Sequence, residues 1–209
     1  MPVTINGTTG ITTPAENTAA LTVGSITGIL KATSGVVSQA VAGTDYLTST
    51  SGGGITLATA QTASGTSVDF TGIPSWAKRI TVIFSGVSTS GTSALLVQIG
   101  TGSTTYTTSG YVGVCASAGA SGLGFSAGFI VSGDVTVAAQ IYSGLVTICN
   151  VTGNTWAENS VLSPSATAQS GPRVGSGYVP LSATLTAVRI TTVNGTDTFD
   201  AGSINISYE

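Results

Sequence analysis

Histidine is absent from this chain of 209 residues, and charge is scarce: five lysines and arginines against eight acids, or 6% of the sequence. Without imidazole the Ser-His-Asp and Cys-His catalytic arrangements are excluded, and the usual nitrogen ligands of zinc are missing. The basic residues are scattered singly and form no patch able to neutralise a phosphate backbone, so nucleic acid is not an expected partner. Apolar runs are short as well, broken by Gly, Ser and Thr well before the roughly 20 residues that a spanning helix requires. No membrane partner is expected. The opening "MPVTINGTTGITTP" has neither the basic start nor the apolar centre of a signal peptide, which predicts synthesis in a cytoplasm. In that compartment the only two cysteines, Cys115 and Cys149, read as small buried hydrophobes rather than as a disulfide.

Gly, Ser, Thr and Ala occupy the places that charges usually hold, which predicts a surface of hydroxyls, amides and backbone. Such a surface suits packing of chain against chain, because few ions have to be stripped of water when copies meet. The chemistry of catalysis is thin. A carboxylate pair among Asp69, Asp134, Glu158, Asp197 and Asp200 remains formally open, since two carboxyls at roughly 5–10 Å suffice for glycoside cleavage. Each is more simply a turn residue. The Gly-rich stretches lack the Lys-Ser/Thr ending of a phosphate-cradling loop. The chain is therefore read as a protein other than an enzyme, with no cofactor and no metal site expected.

The composition changes near residues 49–54, "STSGGG", where a Gly cluster marks a flexible joint between a segment 1–54 and a domain 55–209. Beyond the joint, strands are legible. In "KRITVIFSGV", Ile80, Val82 and Phe84 share one face while Arg79, Thr81 and Ser85 take the other, the period-two mark of a half-buried strand. "SALLVQIG", "DVTVAAQI" and "SINISYE" alternate in the same way. "YVGVCAS" and "GLVTICNV" are apolar on both faces and read as interior strands. Asn194-Gly195 predicts a hairpin with a type I′ turn. No segment keeps a helical period. The expected fold is all-β: an antiparallel β-sandwich of jelly-roll type over residues 55–209, with a long loop at about 157–183 that holds Pro164, Pro172 and Pro180.

Residues 1–54 offer only short strand-like pieces, with too few apolar residues to close a core in one chain. Three copies around a common axis could pool them into a trimeric stem through Ile26, Ile29, Leu30, Val36, Val37, Val41, Tyr46 and Leu47; a disordered arm is the competing reading. The candidate recognition residues are aromatics and an amide in or beside Gly-rich loops: Trp156 and Asn154 in "GNTWAEN", with Tyr106, Tyr111 and Tyr178. A ring face with nearby amides can stack on a sugar and bond its hydroxyls. The alternative for Trp156 is packing over the edge of the core, and Trp76, beside Pro74, reads as a corner plug.

The opening "MPVTINGTTGITTP", the segment "GILKATSGVVSQAVAGTDYL", the phrase "VDFTGIPSWAKRITVIFSGVSTSGTSALLVQIG" and the ending "FDAGSINISYE" together resemble bacteriophage tail-fibre and related virion structural proteins. This resemblance implies a homotrimeric β-rich fibre or knob, made in the bacterial cytoplasm and carried on the virion. Its N-terminal part would attach to other virion proteins of the tail or capsid, and its C-terminal knob would bind a host-surface polysaccharide or protein. Phages place similar modules on the capsid as head fibres or decoration proteins, so that assignment stands as the alternative, with a polysaccharide depolymerase as a third reading.

Overall fold

The computed structural model describes residues 28–34, 36–42, 44–45, 54–117, 121–133, 137–138, 140–165 and 171–209. The chain divides into two compact units, Met1–Thr48 and Ser49–Glu209, so the division falls at the start of the Gly-rich change in composition. In the first unit, β1 (Leu30–Thr33) and β2 (Val36–Gln39) pair antiparallel, with Leu30 opposite Gln39. Asp45 ties the hairpin to the chain that follows: its carboxylate lies 2.8 Å from Lys31 Nζ and accepts the Val41 N–H at 2.8 Å. These contacts, Lys31 first, hold the Asp45 carboxyl below its ordinary range. Ile29, Leu30 and Val41 are exposed, as expected of a two-stranded ribbon too small to bury them. Val36 and Val37 open β2, whereas Ile26, Tyr46 and Leu47 lie outside the described residues.

The second unit is all-β, with two antiparallel sheets and no helix among the described residues. The smaller sheet has four strands in the order β10 (Phe129–Ile130), β7 (Leu95–Gly100), β14 (Ala187–Thr192), β5 (Val68–Thr71). The larger has nine. Its order is β3 (Thr56–Leu57), β15 (Phe199–Tyr208), β6 (Arg79–Thr89), β11 (Ile141–Thr152), β12 (Thr155–Ser165), β13 (Arg173–Pro180), β8 (Val112–Ser117), β9 (Leu123–Phe125), with β4 (Gln61–Thr62) also paired to β15. Both sheets feed one hydrophobic core: Val68, Val97 and Ile190 from the smaller, Ile80, Val82, Val146, Ile148, Leu162 and Ile206 from the larger. In β6 the alternation is as predicted, with Ile80, Val82 and Phe84 buried and Arg79 and Ser85 exposed. Trp76 packs on this core with its ring 5.6 Å from that of Tyr208.

Four expectations are corrected. Residues 157–183 are largely β12 and β13 rather than a long loop. Pro164 is tolerated because the β12–β13 ladder ends at Leu162 opposite Arg173, and its missing N–H therefore faces no partner there. Asn194-Gly195 does not close a hairpin, since β14 and β15 belong to different sheets. Gly195 has φ of 68°, and the Asn194 carboxamide oxygen accepts the N–H groups of Thr196 and Asp197, so the turn leads the chain from one sheet to the other. In "DVTVAAQI" only Ile141 enters a strand among the described residues, because a turn bond from Gln140 N–H to the Val137 carbonyl, 3.3 Å, precedes it. Finally, β8 and β11 are interior in the hydrogen-bond order but covered on one face only: Val112, Val114, Leu145 and Val151 are exposed.

One close approach depends on missing side chains. Gly177 and Gly113 are paired across β13 and β8, and Gly113 is opposite Phe125 in β9. A Cβ at Gly177 would stand 2.7 Å from Phe125 Cζ and 2.5 Å from the Val112 carbonyl oxygen. Phe125 cannot withdraw, because its ring meets Phe129 edge-on at 5.8 Å and Phe129 meets Tyr111 at 4.8 Å. Gly177→Ala is expected to lower unfolding free energy by about 1–3 kcal/mol in urea titrations, and unchanged stability would show that the ring shifts freely.

Candidate functional site

Three strands of the smaller sheet carry the same short pattern, a polar residue between two apolar ones: Val68-Asp69-Phe70, Val97-Gln98-Ile99 and Val188-Arg189-Ile190. Alternation turns the flanking residues into the core, where all six are buried. The register then aligns the three middle residues, since Arg189 is opposite Asp69 on one side and Gln98 on the other. Arg189 Nε donates to Asp69 Oδ1 at 2.8 Å and Nη2 to Oδ2 at 2.7 Å, a bidentate pair that fixes the guanidinium plane. The guanidinium carbon lies 4.1 Å from the centroid of the Tyr106 ring.

The surrounding side chains are held as firmly. Gln98 Nε2 donates to the Ala127 carbonyl at 2.9 Å, Thr191 Oγ1 to the Thr66 carbonyl at 2.8 Å, and Gln61 Nε2 to the Asp69 carbonyl at 2.8 Å. The hydrogen bond to Asp69 raises the affinity of Arg189 for its proton. Burial, and after it the negative charge of Asp69, pushes the Tyr106 phenol up, so it stays a neutral hydroxyl at physiological pH. Beside the row runs a groove of about 380 Å³ lined by Thr66, Gln98, Thr108, Arg189, Thr191 and Asn194 among others. Asp69 balances the charge of Arg189. The groove therefore offers fixed donors and acceptors with little net charge, a chemistry suited to hydroxyl-rich ligands.

The residues expected to form a recognition site are dispersed. Tyr106 is half-buried beside Arg189, the middle member of this row. Trp156 and Tyr111 are core residues, 4% and 2% exposed, and present no ring face to a ligand. The reason is positional: Trp156 takes an inward place in β12, and Tyr111 is drawn in by its edge contact with Phe129 and by accepting the Ile99 N–H at 2.9 Å. Tyr178 is 48% exposed, but it stands on the outer face of the larger sheet. Asn154 is half-buried in the two-residue loop between β11 and β12. Gln98 and Arg189 were missed, and Asp69 was considered only as a catalytic carboxylate, although a polar residue inside an otherwise apolar strand was a readable signal in a chain this poor in charge.

The acids do not converge either. Asp69 is paired with Arg189, Asp197 accepts the Ser93 N–H at 2.9 Å, Asp200 accepts from Ser88 Oγ, and Asp134 lies outside the described residues. Glu158 points into the core, 4% exposed, with neither carboxyl oxygen hydrogen-bonded. Burial pushes its pKa up to about 7, with a smaller opposing effect from Ser160. Arg173, 1% exposed, is also inward and donates to Ser117 Oγ. Both cysteines are thiols: Cys115 is buried, and burial pushes it up to about 11, while Cys149 is half-buried.

The raised Glu158 value fixes the sign of a pH effect. The folded chain keeps the proton to about pH 7, whereas the unfolded chain releases it near pH 4.5. Stability from this group is therefore full below about 4.5 and falls as pH rises to about 7, by about 3 kcal/mol in all. Glu158→Gln should remove that dependence: the variant gains on the wild type between pH 4 and 8 in urea unfolding, and parallel curves would refute the assignment. Searches against protein-family models, curated proteins and solved structures find no match to this chain.

Proposed function

We propose that this chain is a bacteriophage virion structural protein, a short appendage whose second unit binds a neutral glycan on the host surface. The observation that carries the recognition part is the fixed row Asp69–Arg189–Gln98 beside its groove, with Tyr106 stacked on the guanidinium. Sugar hydroxyls are met by planar side chains that both donate and accept, and an aromatic ring covers the apolar face of the pyranose. Here these groups are held by bonds of their own, so little side-chain freedom is lost on binding. The two antiparallel sheets on one core support a sandwich of jelly-roll type as the finer description of this unit. The exposed apolar residues of the first unit, Ile29, Leu30 and Val41, support a stem formed by three copies, through which the protein joins other virion proteins.

Binding of the full chain to a panel of bacterial surface polysaccharides tests the recognition part. Arg189→Ala and Tyr106→Ala should each weaken the captured glycan by about 1–3 kcal/mol, while Trp156 and Tyr111 variants should act through stability alone. Equal binding by wild type, by the groove variant at Arg189 and by the variant at Tyr106 beside it would remove the groove from the reading. Antibody-gold labelling of phage particles tests the virion part. Gold on the tail supports the appendage, gold over the head moves the protein to capsid decoration, and unlabelled particles would overturn both.

A further inference from the structure

We infer that copies of this chain meet through the outer face of the larger sheet, over strands β8, β11, β12 and β13. The inference extends the self-association proposed above and is independent of the glycan groove. The register builds an apolar ridge across the strands, Leu145 opposite Val161 and Val161 opposite Val174. These three are 50%, 49% and 45% exposed. The adjoining rows add Val112, Val114 and Tyr178, also exposed and on the same face. In a small sheet-built unit, outward positions ordinarily carry the polar side chains.

Charge distribution gives the face its occupant. Across all four strands only Glu158 and Arg173 are ionisable as charged residues of the Asp, Glu, Lys or Arg type, and both point into the core. No outward position of these strands bears a charge. The residues between the ridge rows are Ser, Thr, Asn, Ala and the half-buried Cys149, which a matching surface can approach without stripping water from an ion. Within these four strands a charged partner finds nothing to pair with, and the charges beside Leu145, those of Arg79 and Glu209, are paired with each other, whereas a second copy brings the same neutral, hydroxyl-and-valine surface. The area suffices. Four strands at about 4.8 Å and eight residues at about 3.3 Å span roughly 20 by 26 Å, so two such faces together hide about 1,000 Å², the size at which specific contacts begin.

Sedimentation of the full chain at about 50 µM tests this. The wild type is expected to run at a multiple of its 20.5 kDa chain mass. Leu145→Lys with Val174→Lys, which sets like charges against each other, should weaken association by about 100-fold or more while the β-sheet circular dichroism is retained. Ser176→Glu, an exposed site between Val174 and Tyr178 that needs no packing, repeats the test if the double variant fails to fold. Val193→Lys, exposed outside these strands, should leave the sedimenting mass unchanged. A wild type that runs as one chain overturns the inference and the stem together; an oligomer that survives charge on this face overturns the inference and leaves the stem standing.

Discussion

A β-strand gives each residue one of two sides, and every property of the second unit depends on how the chain divides its side chains between them. Inward places go to Val, Ile, Leu and Phe from both sheets, which form one core. The few charges are then sorted with unusual economy. In the smaller sheet an acid and a base take outward places side by side and neutralise each other. In strands β11 to β13 and β8 the order is reversed, with Glu158 and Arg173 inside and neutral residues outside. One rule of alternation thus yields two unlike surfaces: a rigid polar row beside a groove, and a flat face with almost nothing to repel a neighbour.

Strands with clean alternation were legible from the sequence. Ile80, Val82 and Phe84 in β6, and Ile204 and Ile206 in β15, are buried as their spacing implies. Where inward positions are polar the pattern fades: Trp156, Glu158, Ser160 and Leu162 all face inward in β12, yet Glu and Ser read as surface residues, and the nearby prolines suggested a loop. Asn194-Gly195 signals a reversal of the chain but not which strands flank it, because pairing between sheets is a long-range choice. Aromaticity alone did not tell which rings stay at the surface. Trp156 and Tyr111 were drawn into the core by area, whereas Asp69, Gln98 and Arg189 became neighbours only through a register that no single strand encodes.

The two units differ in what they can do alone. The second buries a full core. The hairpin of the first leaves Ile29, Leu30 and Val41 in water and is pinned by one exposed ion pair, Lys31 with Asp45, a contact worth little by itself. A chain so built gains from company. Its low charge, which argues against a nucleic-acid partner, is the same property on which the proposed packing of copies rests.

The place of β15 has a temporal consequence. It lies between β6 and the short β3 and β4, and it pairs with β6 from Phe199 opposite Thr89 to Tyr208 opposite Ile80. A ribosome delivers β6 more than a hundred residues before its partner. During that interval one edge of β6 has backbone groups with no native strand to bond, and an apolar face still lacks its cover. The nascent chain must therefore carry an open, adhesive edge until nearly all of this unit has been made, and pairing so distant in sequence closes slowly. Crowded synthesis of many copies at once would put that edge within reach of its twins, and a surface this poor in charge offers them little repulsion.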